Sequence, residues 1–397
     1  MKVSGHKIAI RPLRGSISVG ASLVKEMAVP ISKVAHPVRL SVKIIIRAFR
    51  IAFILDFRID FLSLASHLMQ VNTELNVPVV DVPAFTPPFW MRPSLVQTAL
   101  ASFKFRKRGK NPMLDVAESH ILDCEDGVRL KGSYSPNPEN KALVIFLHGW
   151  EGSQESTYVV SCGRHLYNQG ASIFRLNYRD HGDSHDLNEG LFYSTLFNEV
   201  FDAVKQAAEL AKGAPVYIVG FSLGGNFSLR IARSLRDLTI KNLAHIFAIS
   251  PVVDPWGAAP LVDKTWLYRR YFLKKWSASL KKKQALFPET YNFDHVMSEK
   301  RVMSMTSKLI PEYSDYPDME SYFNAYRVDP HDLEYCPVPI SLVTARDDGI
   351  IPVDDIMTLT LNKNARRIIH DHGGHNGFFQ SLTGPTWYDD YISAVMF

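Results

Sequence analysis

From residue 119 onward, short apolar runs rich in branched residues alternate with longer stretches whose apolar positions recur at helical spacing. Ala142–Leu147 is apolar throughout and stops at His148-Gly149, as expected of a strand buried on both faces of a parallel sheet. His120–Asp123 and Val128–Tyr134 flank Glu125-Asp126-Gly127, a hairpin turn. The pattern then predicts a helix over about 156–169, a strand over Ala171–Tyr178 and a helix over about 195–212. In that last helix Val200, Val204, Ala207, Ala208 and Ala211 share one side. A strand at 215–220, a helix at 226–238 and a strand at His245–Ile249 follow. After a break the alternation resumes with Ile340–Thr344, a helix near 353–361, a strand at Arg366–Ile369 and a helix near 386–396. Such alternation implies an α/β fold, a mostly parallel central sheet flanked by helices.

Three stretches depart from it. Residues 1–80 form a basic, partly amphipathic arm; within it, 41–70 is strongly apolar but interrupted by Lys43, Arg47, Arg50, Asp56, Arg58 and Asp60. A spanning helix wants about 20 predominantly apolar residues, so this is not a simple membrane span. Its bases fall in one narrow helical sector, which suits either a helix lying on an anionic membrane surface or an arm packed on protein. Residues 81–118 hold Pro83, Pro87, Pro88 and Pro93 and are expected to break regular structure as a strap or linker. Within the remaining domain, 119–397, the break at 252–333 interleaves Trp256, Trp266, Tyr268, Tyr271, Phe272 and Trp276 with lysines and arginines. Its place between the sixth and seventh strands is that of a helical lid. Basic and aromatic residues together also raise nucleic acid, but no RNP, helix-turn-helix or zinc motif accompanies them, so no nucleic-acid partner is expected.

Charge sharpens the division of the chain. The whole carries +5; residues 1–60 have eleven Lys or Arg against Glu26, Asp56 and Asp60, which is 11 − 3 = +8, leaving 5 − 8 = −3 for the remainder. A hydrophobic content of 46% with 21% charged residues is that of a globular protein able to bury a core. Cys124, Cys162 and Cys336 are odd in number and widely spaced, which suggests neither a disulfide framework nor a zinc site and favours a reducing compartment. No apolar core near the start resembles a secretory signal. The expectation is a cytoplasmic protein, peripheral to a membrane if 41–70 binds one, while the basic, acid-poor start leaves organellar import open.

The chemistry centres on Val216–Gly225, where an apolar run ends in Gly220-Phe221-Ser222-Leu223-Gly224 and a helix begins at once. A glycine-flanked serine is otherwise an ordinary turn; strand, sharp turn and helix together make a nucleophile elbow, in which side chains at the glycine positions would clash. A serine needs a base, and the base an orienting acid. Ile340–Thr344 runs into Asp347-Asp348, and the next strand into His370-Asp371-His372-Gly373-Gly374-His375. Asp348, four residues before Pro352, is the candidate acid, with Asp347 the alternative. His375, freed by the preceding glycines, is the candidate base; His370 and His372 are expected to be structural. Leu223 N–H, just after the serine, and Trp150 N–H, in the loop after Ala142–Leu147, are the candidate oxyanion donors. Asp180–Asp186 and His370/His372/His375 resemble metal ligands on paper, but a tight turn and the base account for them, so neither metal nor cofactor is expected.

These residues resemble the YheT-like branch of the α/β-hydrolases, which includes the mammalian abhydrolase-domain lipid hydrolases. The likeness rests on Phe85-Thr86-Pro87-Pro88-Phe89-Trp90-Met91-Arg92 with Gln97-Thr98, on Leu147–Ser153, Gly220–Asn226 and Arg270–Leu273, and on Asp347-Asp348 with Gly373–Phe378. It spans about 85–397. It implies the α/β-hydrolase fold, a Ser222, Asp348, His375 triad and esterase activity on acyl esters, lipid esters in some members. The branch usually carries a histidine before Leu-Gln-Thr in the strap, where this chain reads Ser94-Leu95-Val96-Gln97-Thr98, and residues 1–80 match nothing in it. The reading is a serine carboxylesterase or lipase acting on a small-molecule ester or lipid. An acyltransferase with the same triad and a non-catalytic membrane-associated binding protein are the alternatives.

Overall fold

The structure, a computed structural model, describes residues 84–397. The basic arm, including the amphipathic stretch at 41–70, lies outside the described residues. The proline-rich strap is more regular than expected: after a 3-10 turn at Phe89–Met91 it holds helix α1 (Ser94–Ser102), followed by the single turn α2 (Pro112–Asp115). The prolines explain both outcomes. Pro93 takes the N-cap of α1 and Pro112 the first position of α2, where a missing N–H costs nothing. Between them Ser-Leu-Val-Gln-Thr-Ala-Leu-Ala-Ser contains no breaker.

The domain proper runs β1 (Glu118–Asp123), β2 (Arg129–Ser135), β3 (Ala142–Leu147), α3 (Thr157–Tyr167), β4 (Ala171–Asn177), α4 (Phe197–Glu209), β5 (Val216–Phe221), α5 (Leu223–Ser234) and β6 (Leu243–Ile249). Helices α6 (Pro255–Lys264), α7 (Trp266–Leu286), α8 (Asp294–Met297), α9 (Val302–Tyr313) and α10 (Met319–Tyr326) follow. Then come β7 (Ile340–Ala345), α11 (Val353–Thr358), β8 (Ala365–His370) and α12 (Trp387–Met396). The sheet has eight strands in the order β1-β2-β4-β3-β5-β6-β7-β8; β1/β2 and β2/β4 pair antiparallel and the rest parallel. Every residue of β3, β5 and β7 is buried, as expected of strands covered on both faces; β3 is apolar throughout, and β7 buries the hydroxyls of Ser341 and Thr344 with its apolar residues.

Two core clusters cover the two faces, one built around α4 and α5 and one around α3 and α12. Helix α5 differs from its expected span: it starts at Leu223 and ends at Ser234, because Ser222 itself is the N-cap and Asp237 and Leu238 turn back onto the Ser234 carbonyl. The insertion is helical throughout its ordered elements. Asp254 caps α6 through Trp256 N–H, and Asp263 at the end of α6 accepts from Val302 and Met303 N–H, capping α9 across a helix boundary.

Candidate active site

The elbow is held by contact rather than by loop freedom. Ser222 adopts φ 56° and ψ −114°, a sparsely populated backbone state for a residue with a side chain, which costs on the order of 1–3 kcal/mol. The flanking glycines make that state possible. A Cβ on Gly220 would sit 2.2 Å from the Gly224 carbonyl oxygen, and one on Gly224 would sit 2.0 Å from the Leu147 carbonyl oxygen. Ser222 N–H donates to Ile249 O of the neighbouring strand at 2.9 Å, fixing the turn against β6.

Beside it stands His375, on the loop after β8. Its Nε2 lies 2.9 Å from Ser222 Oγ and its Nδ1 2.9 Å from Asp348 Oδ2. The second Asp348 oxygen accepts from Ile350 and Ile351 N–H at 2.9 and 3.0 Å, so the carboxylate is aimed by its own loop. With an acceptor-only carboxylate at Nδ1, the imidazole places its proton there and leaves Nε2 free to accept from the serine. Asp347 points elsewhere. Its Oδ1 accepts from Gly374 N–H at 2.9 Å and braces the histidine loop, and burial pushes its carboxyl above the usual range. His370 packs edge-on against Trp387, and His372 lies 3.8 Å from Asp347, so neither enters the run of hydrogen bonds.

The loop after β3 supplies backbone donors. Gly149 N–H donates to Tyr158 Oη at 2.9 Å and Glu151 N–H to His181 Nε2 at 3.2 Å. Trp150 N–H between them, and Leu223 N–H at the first turn of α5, have no hydrogen-bond acceptor among the described residues. Both residues line one cavity with Ser222. His181 keeps its role as an acceptor because its Nδ1 donates to Arg179 O, and burial holds its pKa down at about 4.

Two supports went unrecognised in the sequence. Thr98 Oγ1 on α1 accepts from His375 N–H at 2.9 Å, and Gln97 grips Phe379 through both its amide oxygen and nitrogen, at 2.8 and 3.0 Å. The strap thus fastens the histidine loop; the signal was the Gln97-Thr98 pair, whose spacing from the strap prolines carried no chemistry by itself. The other is Lys283 on α7. It is buried and donates to Asp180 Oδ1 at 2.8 Å and to the carbonyls of His185 and Gly190. Burial pushes the Asp180 carboxyl up and the Lys283 ammonium down, each against the pull of the other. The motif-like residues at 180–186 are spent in this way: Asp180 also accepts from Phe192 N–H, Asp183 pairs with Lys131, and His185 meets Ser279. Among the described residues no three His, Cys, Asp or Glu are grouped as a metal ion would need.

The cavity beyond Ser222, of about 140 Å³, is walled mostly by the insertion. Phe272 stacks on Trp150 at 5.2 Å and Trp276 meets the same ring edge-on at 5.1 Å, while Val302, Leu309 and Ile310 line it from α9. An apolar chamber opening at a serine–imidazole–carboxylate run can hold an acyl chain and present its carbonyl to the hydroxyl.

Residues 144–383 match the alpha/beta hydrolase family. Phospholipase ABHD3 of Mus musculus is 21% identical over 315 residues, 77% of this chain and 76% of that protein. The putative esterase slr0264 of Synechocystis is 28% identical over 154 residues, 37% of this chain and 42% of that protein. Among solved structures, the Pyrococcus furiosus esterase Pf2001 superposes with a TM-score of 0.48 at 18% identity, covering 73% of this chain and 95% of the esterase.

Proposed function

The chain belongs to the alpha/beta hydrolase family, and on that footing we propose that it is a serine hydrolase cleaving carboxylic esters with extended acyl groups, lipid esters among them. The observation that carries the proposal is the pair of 2.9 Å contacts linking Ser222, His375 and Asp348 at the mouth of an apolar chamber. The esterase and phospholipase relatives agree with a lipid ester as substrate.

In this reading Ser222 Oγ attacks the ester carbonyl as His375 Nε2 takes its proton, and Asp348 holds the tautomer and stabilises the imidazolium that forms. The negative oxygen is met by the N–H groups of Trp150 and Leu223, each worth roughly 10²–10³ in rate. His375 then returns the proton to the departing alkoxide, leaving an acyl-enzyme. A water, deprotonated by the same imidazole, attacks that ester and restores the serine. Helix α7 and α9 receive the acyl chain, so the insertion sets chain-length preference.

Hydrolysis of p-nitrophenyl esters from acetate to palmitate tests this with wild type and Ser222→Ala. Turnover that rises beyond acetate and vanishes in the variant is expected; equal turnover in the variant contradicts the proposal.

A further inference from the structure

Helix α7 has two dissimilar faces. Inward, Phe272, Trp276, Leu280 and Lys283 line the chamber. Outward, the helix exposes Arg270, Lys274 and Lys281, while Lys275 and Lys282, though exposed, reach back to the Glu151 and Gly182 carbonyls at 2.7 and 3.5 Å; the whole helix, Trp-Leu-Tyr-Arg-Arg-Tyr-Phe-Leu-Lys-Lys-Trp-Ser-Ala-Ser-Leu-Lys-Lys-Lys-Gln-Ala-Leu, contains no acidic residue. Among the described residues Lys283 alone of its cations is in an ion pair. The outward positions also carry large apolar groups: Trp266 is 62% exposed, Leu267 48% and Tyr271 44%. At 100° per residue, Trp266, Arg270, Lys274 and Lys281 share one sector, with Leu267 and Tyr271 beside it. Arg270 lies over the Trp266 ring at 5.6 Å and Lys275 over Tyr271 at 5.4 Å.

The groove at the edge of this face adds Arg269 and Lys300; its acid, Glu299, is already paired with Lys308. The whole face is therefore basic and uncompensated, and of the same sign as the N-terminal sixty residues.

We propose that this outward face of α7 docks on an anionic lipid bilayer, so that the wall of the acyl chamber is itself the contact with the substrate's source. Clustered Lys and Arg are drawn to anionic headgroups, and Trp, Tyr and Leu enter the headgroup boundary beside them. Exposed Leu267 and Trp266 distinguish this from a phosphate backbone, whose attraction needs cations alone. The inference deepens the proposed function by naming where the ester is met. It rests on that reading for its purpose, but not for its measurement.

The test uses the full chain carrying Ser222→Ala, sedimented with phosphatidylcholine vesicles with and without phosphatidylserine. Binding is expected to the anionic vesicles. In the same background the triple variant Arg270→Glu/Lys274→Glu/Lys281→Glu should bind at least about tenfold more weakly, since each cation near the surface contributes to the attraction. Trp266→Ser/Leu267→Ser should weaken binding severalfold and more so at raised salt, where the apolar contribution dominates. The same substitutions on the active chain should leave turnover of a short soluble ester unchanged, which shows that they fold. Vesicle binding that neither set alters would overturn the proposal and assign contact to the N-terminal arm. Loss with the charge variant but not the apolar one, matched by equal affinity for an RNA oligonucleotide, would overturn it in favour of nucleic acid. Absent turnover of the active chain with intact vesicle binding would sink the hydrolase reading and leave the docking face standing.

Discussion

Strands β3, β5 and β7 contain no charged residue, and each hands over at its end to a loop bearing a residue to which the proposed function gives a reacting or positioning role: Trp150, Ser222 and Asp348. The helical insertion works the other way. It sends an ammonium, Lys283, into the interior to meet Asp180, and it keeps its apolar residues for the chamber and for solvent. In the sheet, backbone geometry fixes where atoms sit, and close contacts around glycine do the positioning. In the insertion, side chains decide shape, and one buried ion pair ties the wall to the loop after β4. The difference separates two properties that substitutions can address independently: the proposed chemistry, set at strand ends, and the chamber, lined by α7 and α9.

The largest expected effect breaks the strand-end half. Asp348→Asn should lower turnover by about 10⁴, because the imidazole loses the acceptor that fixes its tautomer. Asp347→Asn keeps an oxygen for Gly374 N–H and should change turnover by less than about tenfold. Steady-state kinetics on one soluble ester compares them, and the reverse order would exchange their roles.

Next comes the insertion. Lys283→Met strands Asp180 without its partner and should destabilise the fold by about 3–5 kcal/mol in urea unfolding, whereas Lys283→Met/Asp180→Asn should recover much of that. An unchanged midpoint for the single variant would mean that the pair does not hold the wall.

A smaller effect sharpens the boundary between the two regions. Thr98→Val removes the acceptor for His375 N–H and should reduce kcat about tenfold with KM unmoved, while Thr98→Ser restores it. A change in KM alone would make Thr98 a chamber residue rather than a brace for the histidine.

The last expected effect is a dependence of sheet stability on pH. Burial holds the pKa of His245 down at about 3 and that of His370 at about 4, against 6.5 when exposed. The unfolded chain therefore binds protons that the folded one refuses, so their stabilisation is complete above about pH 6.5 and is lost as pH falls toward 4 and 3. Unfolding midpoints at pH 7 and pH 5 should show the decline. His245→Gln should flatten its slope by at most about one proton, roughly 1.4 kcal/mol per pH unit.

The same two regions were unequally legible in the sequence. Continuous apolar runs such as Ala142–Leu147, too short for a buried helix and ended by His148-Gly149, read as doubly covered strands, and Gly220 and Gly224 advertise a backbone that cannot tolerate a Cβ, so sheet and elbow could be read directly. The choice between adjacent Asp347 and Asp348 could not rest on spacing alone; the Asp348 carboxylate is turned by Ile350 and Ile351 N–H, a matter of local loop geometry. Helix α1 was hidden because prolines break a pattern in the aggregate yet sit harmlessly at helix starts. Lys283 was hidden for another reason. In a run of three lysines the charge pattern does not mark the one that turns inward; its helical spacing from Trp276 and Leu280 places it on the inward face, but the Asp180 that receives it lies 103 positions away.

The proposed chemistry stands or falls on Ser222 being an activated nucleophile. Intact-mass analysis after exposure to a fluorophosphonate tests it most directly, in wild type and Ser222→Ala. A single adduct is expected on wild type and none on the variant, with Asp348→Asn labelled far more slowly. A folded wild-type protein that takes no label in buffer, detergent or lipid vesicles, or a variant labelled as readily as wild type, would contradict it.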